Sequence, residues 1–128
     1  MSSLDITPLV PQGRQFIQSY RGGIFRITEV DYKGPVLVTP EHTMLWAAPE
    51  IADLTFEDFA PLLEPQGAVQ IVLLGCGARM ALPPPVLRAR LREAGIVLEP
   101  MDTGAACRTY NVLMGEDRRV AAALLPLP

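Results

Sequence analysis

A run of apolar residues near the middle of the chain limits the possible fold more than any other feature. Residues 68–75 read AVQIVLLG, and only Gln70 interrupts the apolar side chains. Strands with such a continuous pattern are covered on both faces, as they are in parallel sheets. The run is far shorter than the roughly 20 residues that a membrane-spanning helix needs. It therefore predicts a central strand with helices packed on both faces of its sheet.

A helix and a second strand are predicted directly after this run. Residues 84–95 read PPVLRARLREAG, with proline at the start and glycine at the end, as amphipathic helices often have. The helical spacing places Val86, Leu87 and Leu91 on the inward face. Residues 96–99 (IVLE) are predicted as the next strand. The order strand, helix, strand indicates a parallel crossover.

Short strands are predicted in the N-terminal part of the chain. Residues 14–20 (RQFIQSY) and 24–30 (IFRITEV) flank a pair of glycines, whose positive φ angles suit a tight hairpin turn. Residues 36–39 are predicted as a third strand. Residues 42–47 (HTMLWA) either extend the sheet or lie as a short segment beneath it.

The remaining elements alternate between helix and strand. Residues 53–65 (DLTFEDFAPLLEP) are predicted as a helix that Thr55 caps, with Asp58 near the positive end of the helix dipole. Residues 101–114 are predicted as a last helix, and residues 118–127 as a closing strand.

Together these elements predict an α/β fold, a three-layer single domain over residues 1–128. Its mixed β-sheet has an N-terminal hairpin, a parallel β-α-β unit and helices packed on the sheet. Residues 1–14 are predicted to form an N-terminal arm or loop. A chain of 128 residues has no room for a second core.

Composition argues against several functional classes. The net charge of -3 and the isoelectric point near 5.1 argue against nucleic-acid binding, which needs a basic surface. A single histidine, His42, and two cysteines without a CxxC pair supply too few ligands for zinc. We therefore expect no metal and no cofactor. The N-terminal sequence has neither a basic start with an apolar run nor an arginine-rich leader, so we expect a cytoplasmic protein without a transmembrane segment.

A glycine turn follows the predicted central strand. Residues 73–80 (LLGCGARM) have the outline of a dinucleotide-binding turn, but Met80 replaces the third glycine and a proline-rich stretch separates the turn from the helix. Crevices at the carboxyl ends of parallel strands are nevertheless where open α/β sheets bind ligands. We therefore take Gly75, Cys76, Gly77 and Arg79 as candidate ligand-binding residues. A redox sensor that uses Cys76 is a further alternative.

The segment MDTGAACRTYNVLM, residues 101–114, is the second candidate site. Either Asp102 or Thr103 is suited to cap its helix. Helical spacing places Cys107 at the edge of a buried apolar face formed by Ala106, Tyr110, Leu113 and Met114. The same spacing places Gly104, Arg108 and Asn111 on the other side. Arg108 and Asn111 are the polar candidates for binding a ligand or a partner.

Four segments together resemble a known domain family. They are MDTGAACRTYN, IVLLGCGARMALPPPVLRARLREAGIVLEPMDT, YKGPVLVTP and FIQSYRGGIFRI. The family is that of the third NADH dehydrogenase assembly factor of mitochondrial complex I, with uncharacterised bacterial and archaeal members of the Mth-type fold. The resemblance runs over residues 4–126. The matching signature residues are Asp102, Thr103, Ala106, Arg108, Thr109, Tyr110 and Asn111, whereas Cys76 departs from the common G-T-G turn.

The resemblance implies a three-layer α/β fold and no established catalytic residue. It also implies a role as an assembly or interaction factor, with a protein client among the subunits of a membrane complex and a location in the cytoplasm or at the inner membrane. We expect a non-enzymatic interaction protein with an apolar surface patch. The alternative is a small-molecule or anion binder, or an enzyme, that uses the crevice at residues 75–79 with Arg108 and Asn111. The oligomeric state stays open.

Overall fold

The computed structural model describes residues 13–128. The predicted N-terminal arm, residues 1–14, therefore lies almost wholly outside the described residues. Helices and strands alternate in the C-terminal half, whereas the N-terminal half contains strands and two 3₁₀ helices. The strands are β1 (Ile17–Ser19), β2 (Ile24–Ile27), β3 (Val30–Lys33), β4 (Val36–Val38), β5 (Thr43–Leu45), β6 (Ile71–Cys76), β7 (Val97–Met101) and β8 (Val120–Leu125). The α-helices are α1 (Pro85–Glu93) and α2 (Thr103–Gly115), and the 3₁₀ helices span Ile51–Asp53 and Phe56–Leu62.

A five-stranded mixed sheet forms the centre of the fold, in the order β5-β4-β8-β6-β7. Strand β6 pairs in parallel with both β7 and β8, and β4 pairs antiparallel with β8 and β5. The predicted apolar run therefore forms β6, which lies between two parallel neighbours. This position explains its continuous apolar pattern, because helices cover both faces of the sheet. The α/β fold class, the mixed sheet and the parallel crossover through α1 are confirmed.

Alternate side chains of the central strands enter two separate hydrophobic clusters. In β8, Val120 and Leu124 face α2, whereas Ala121 and Ala123 face the layer that contains α1. In β6, Leu73 points to the α2 side. The clusters lie on opposite faces because successive side chains of a strand point in opposite directions. The result is three layers, with α1 and the 3₁₀ helices on one face and α2 on the other.

The N-terminal strands form a second sheet of their own, β1-β2-β3, beside α2. The predicted glycine hairpin joins β1 to β2. The prediction that residues 24–30 form one strand is wrong, because the chain turns again at Thr28 and Glu29 with φ angles of 48° and 71°. The Gln18 side chain holds this turn, since its Oε1 accepts from the Glu29 backbone N–H at 2.7 Å. No glycine marked the turn in the sequence.

In place of the helix predicted over residues 53–65, the chain forms one 3₁₀ helix at Ile51–Asp53 and a second at Phe56–Leu62. The second has Thr55 at its N-cap, as predicted, and the Thr55 backbone N–H donates to Asp58 Oδ2 at 2.8 Å. Pro61 lies inside this segment and has no N–H to donate, which disfavours a longer α-helix. Phe59 and Leu62 of this segment are buried against the sheet.

Helix α1 departs from its predicted face at one residue. Leu87 and Leu91 are buried as expected, but Val86 is 70% exposed. Val86 lies in the first turn, roughly 100° around the helix from Leu87, which turns its side chain away from the sheet.

Residues 43–45 form β5 at the edge of the main sheet, so the segment predicted over residues 42–47 extends the sheet.

Candidate functional site

Thr103 joins three segments at the carboxyl ends of β6 and β8. Its Oγ1 accepts a hydrogen bond from the Gly77 N–H at 2.8 Å and donates one to the Leu125 carbonyl at 2.6 Å. The Thr103 N–H in turn donates to the Gly77 carbonyl at 2.8 Å. Thr103 is fully buried. Two candidate regions of the sequence, the glycine turn and the start of α2, therefore meet at one side chain.

Gly75 is required by this close approach. A Cβ at that position would lie 2.9 Å from Leu124 Cδ2 and 3.0 Å from Thr103 Oγ1. It would also lie 3.1 Å from the Thr103 Cα, which cannot move without displacing α2. Gly77 has a φ of 89°, which other residues rarely adopt. Close packing explains the glycine at position 75 and backbone conformation explains the one at position 77, and neither explanation requires a ligand.

Asp102 is the residue that caps α2. Its carboxylate accepts from the Ala105 N–H at 2.9 Å, where the helix dipole favours negative charge. This carboxylate lies at the helix terminus where a bound anion would otherwise be favoured. The Thr103 N–H is also occupied, by the Gly77 carbonyl. The geometry therefore does not favour an anion at this end of α2.

Cys76 and Arg79 lie away from the Thr103 contacts. The Cys76 side chain points to the α1 side of the sheet and is half-buried, with Sγ 3.5 Å from the carbonyl oxygens of Leu74 and Ala81. Arg79 is exposed and forms no ion pair with any residue from 13 to 128. None of the three surface grooves described below includes residues 75–79 in its lining.

Arg108 contacts the N-terminal sheet. Its Nη1 donates to the Tyr20 hydroxyl at 2.8 Å on the protein surface. The Tyr20 ring lies close to Gly104, where an added Cβ would be 3.3 Å from Tyr20 Cε2. Gly104 lies beside Arg108, on the side of α2 where helical spacing places both residues, and it is buried. The physical reason is that the tyrosine ring covers it.

Asn111 acts as a partner for the backbone of β1. Its Oδ1 accepts from the Ile17 N–H at 3.0 Å, and its Nδ2 donates to the Ile17 carbonyl at 2.8 Å. One side-chain amide therefore satisfies both backbone groups of an edge residue. The Tyr110 hydroxyl, on the residue before Asn111, donates to the Gln15 carbonyl at 2.9 Å. Asn111 thus serves to hold β1 against α2.

Burial raises the pKa of two side chains on α2, Cys107 and Tyr110. Burial raises the pKa of the Cys107 thiol to about 12, although the charge of Arg108 opposes the shift. Burial likewise raises the pKa of Tyr110, and the negative charge of Glu41 adds to this shift. Cys107 is buried as predicted. Its thiol stays protonated, and therefore weakly nucleophilic, at neutral pH.

Among the large apolar side chains of residues 13–128, Leu82 and Val86, around the start of α1, are the most exposed. An open groove of about 520 Å³ is lined by Ala52, Leu82, Pro83, Pro84, Pro85 and Arg88, and we call it the proline groove. Leu82 is 71% exposed. A smaller groove of about 180 Å³ adjoins it across Pro84 and includes Val86. In the sequence, the run of three prolines between Leu82 and Val86 was the feature that could have indicated this surface.

A third groove, of about 240 Å³, lies at the other side of the molecule. Its lining includes His42, Glu41 and Glu64 among mostly apolar side chains. Within residues 13–128 no group of three or more histidine, cysteine, aspartate or glutamate side chains is placed to hold a metal ion. In the same part of the chain, no helix combines the length and apolar character needed to cross a membrane.

Two curated proteins resemble this chain over most of its length. An uncharacterized protein of Rhodobacter capsulatus is 41% identical over 112 residues, which cover 88% of this chain and 85% of that protein. The human NADH dehydrogenase (ubiquinone) 1 alpha subcomplex assembly factor 3 is 37% identical over 116 residues. That match covers 88% of this chain but only 61% of the assembly factor.

Solved structures share the fold. A crystal structure described as an outer membrane protein from Bartonella henselae aligns with a TM-score of 0.82 and 34% identity, covering 91% of this chain and 98% of that one. A solution structure from Bordetella pertussis, described as an Mth938-like domain, aligns with a TM-score of 0.80 and 29% identity, covering 96% and 92%. The family model described as "Protein of unknown function (DUF498/DUF598)" matches residues 17–125. This chain therefore belongs to the DUF498/DUF598 family, which its resemblance to the complex I assembly factors had indicated.

Proposed function

We propose that this protein is a non-enzymatic interaction protein that binds a protein client and assists the assembly of a membrane-bound respiratory complex. It is proposed to work in the cytoplasm or at the inner face of the membrane. Its relatives named as assembly factors support the client and the process. The matched region of this chain covers 61% of the length of these relatives, so we extend their role to this chain only as a proposal.

The observation that carries the proposal is the exposed apolar surface around α1. Leu82 and Val86 are 71% and 70% exposed, and the two grooves that they line share Pro84. Contiguous apolar surface of this kind is typical of protein-binding sites. The prolines fix their own φ angles, so the groove loses little conformational entropy when a partner binds.

The polar residues of α2 support a binding role over a catalytic one. Thr103, Tyr110 and Asn111 each hydrogen-bond to backbone groups of neighbouring segments. Their functional groups are thus engaged in holding the fold. A catalytic residue, in contrast, must direct its reactive group to a substrate.

The test compares a double aspartate variant of the apolar surface with a single aspartate substitution elsewhere, both in the encoding organism. Leu82→Asp together with Val86→Asp places charge on the apolar surface, while Val112→Asp places it on α2, where Val112 is 59% exposed. We expect tagged wild-type protein and the Val112 variant to retain respiratory-complex subunits from gently solubilised membranes, identified by mass spectrometry. The double variant should lose them.

Complex assembly supplies an independent measurement. Deletion of the gene should lower the amount of fully assembled respiratory complex on a native gel, and only the wild-type protein and the Val112→Asp variant should restore it. A normal amount of assembled complex in the deletion strain, with no subunit retained by the wild-type protein, would rule out the proposed function.

A further inference from the structure

Among residues 13–128, the lining of the proline groove includes one charged side chain. Arg88 lines it together with Ala52, Leu82 and the three prolines at 83–85. We infer that this groove binds an extended segment of a partner protein in which a carboxylate lies next to apolar side chains. This inference rests on the proposed function and adds the chemical class of the segment that is recognised.

Arg88 and Arg90, two arginines of α1, differ in the contacts that they make. Arg90 Nη1 lies 3.3 Å from Glu57 Oε2, and its guanidinium lies 4.4 Å from the centre of the Phe56 ring. Arg88 is half-buried, yet it forms no ion pair with any residue that the structure describes. The groove therefore presents an unmatched positive charge beside apolar side chains, whereas the adjoining groove has its charge balanced.

Covering this groove has an electrostatic consequence. A partner that packs on Leu82 and the prolines also removes water from around Arg88. Desolvation of an unpaired guanidinium is costly, and a carboxylate from the partner offsets that cost through a bidentate, charge-assisted hydrogen bond. A purely apolar or a basic segment would leave the charge unpaired and is disfavoured.

The prolines also restrict how a partner can be held. Pro83, Pro84 and Pro85 have no backbone N–H, so this wall cannot donate the ladder of hydrogen bonds that adds a strand to a sheet edge. Recognition must therefore come from apolar contact with the ring faces and Leu82, together with the charge of Arg88. An open groove of about 520 Å³ accommodates a few side chains of a linear segment.

The test is selection of random twelve-residue peptides, displayed on phage, against the full chain. Selected sequences should be enriched in aspartate or glutamate beside leucine, valine or phenylalanine. Arg88→Glu should weaken the binding of the corresponding synthetic peptides by about tenfold or more, as expected for loss of a charge-assisted pair. Arg92→Glu is the matched control, because Arg92 lies one turn along α1, exposed and outside the groove lining, and should change binding less than about twofold.

Arg88→Gln separates loss of charge from loss of folding. It keeps a polar side chain without the charge, so it should also weaken binding while the thermal unfolding midpoint stays that of the wild type. Enriched peptides without carboxylates, or equal binding to wild-type protein and Arg88→Glu, would overturn the inference. A failure to enrich any peptide would also overturn it. A homodimer that Leu82→Asp dissociates would overturn it too, because the groove would then bind a second copy of this chain.

The inference and the proposed function fail in distinguishable ways. If Arg88→Glu retains respiratory subunits as well as the wild type, while Leu82→Asp with Val86→Asp loses them, only the acidic character of the segment is wrong. If the deletion strain assembles its complex normally, the proposed function is wrong, whatever the peptides show.

Discussion

At the scale of single residues, most of the candidate side chains serve the fold directly. The glycine turn after β6 and the α2 segment were expected to converge only in the alternative hypothesis of a ligand-binding crevice, and the role of Thr103 in joining them was not predicted. The contact joins the hydroxyl to a carbonyl 22 positions away in sequence. A local sequence pattern carries no information on so distant a partner, which is why the hydrogen-bonded junction at Thr103 was not predicted.

Thr103→Val should destabilise the protein by about 2–4 kcal/mol, because the Gly77 N–H and the Leu125 carbonyl would both lose a buried partner. Thr103→Ser keeps the hydroxyl and should cost only about 1 kcal/mol for the lost methyl group. Urea unfolding of each variant measures these changes in the free energy of unfolding. A Thr103→Val variant as stable as the wild type would show that the hydroxyl contributes nothing.

The two cysteines show what residue type alone predicts. Cys107 was expected to be buried, because free cysteines usually are and because it borders an apolar helix face. The role of Cys76 was left open, and a redox role stays a prediction. Its half-buried position on the α1 side of the sheet could not be read from two flanking glycines.

At the scale of elements, strongly periodic segments were predicted well. Strands β6, β7 and β8 and helices α1 and α2 follow their apolar patterns, since burial on the two sheet faces determines both pattern and structure. The turn between β2 and β3 was missed, because Thr28 and Glu29 adopt positive φ angles without glycine. A side chain from β1 stabilises that turn, and a contact of this kind leaves no periodic signal.

The Asn111 amide is one of the groups that attach β1 to α2. Asn111→Ala should lower stability by about 1–3 kcal/mol, because the Ile17 N–H and carbonyl lose their partner. Asn111→Asp should be no better, since a carboxylate can accept from the Ile17 N–H but faces its carbonyl oxygen. Val112→Ala, at the exposed neighbouring position, is the control for the effect of substitution in α2.

Amide hydrogen exchange locates the effect of the Asn111 substitutions. Exchange should become faster at Ile17 and the rest of β1, while β6 and β8 keep their wild-type rates. Faster exchange throughout the main sheet would contradict a local role for the amide. Unchanged exchange at Ile17 would show that the backbone of β1 does not need it.

At the scale of the whole molecule, stability should fall at alkaline pH. In the unfolded chain the thiol of Cys107 and the phenol of Tyr110 titrate near their ordinary pKa values of 9.0 and 10.0. In the folded protein burial raises both, so the unfolded state loses these protons first. The stabilisation is complete below about pH 9 and is lost as the pH rises towards about 12, by up to about 1.4 kcal/mol per pH unit for each group.

Urea unfolding between about pH 8 and about pH 11 measures this dependence. Cys107→Ala removes the thiol and should make the fall in stability less steep above about pH 9. A variant with the same pH dependence as the wild type would show that the thiol ionises as readily in the folded protein as in the unfolded chain.

The two sheets of the molecule share no strand, and the Asn111 amide is one of the groups that join them. An edge strand with free backbone groups can template pairing with another chain, and such pairing leads to aggregation. At Ile17 both backbone groups are already occupied by the asparagine side chain. One residue of α2 thereby occupies, at Ile17, backbone groups through which another chain could otherwise pair with the small sheet.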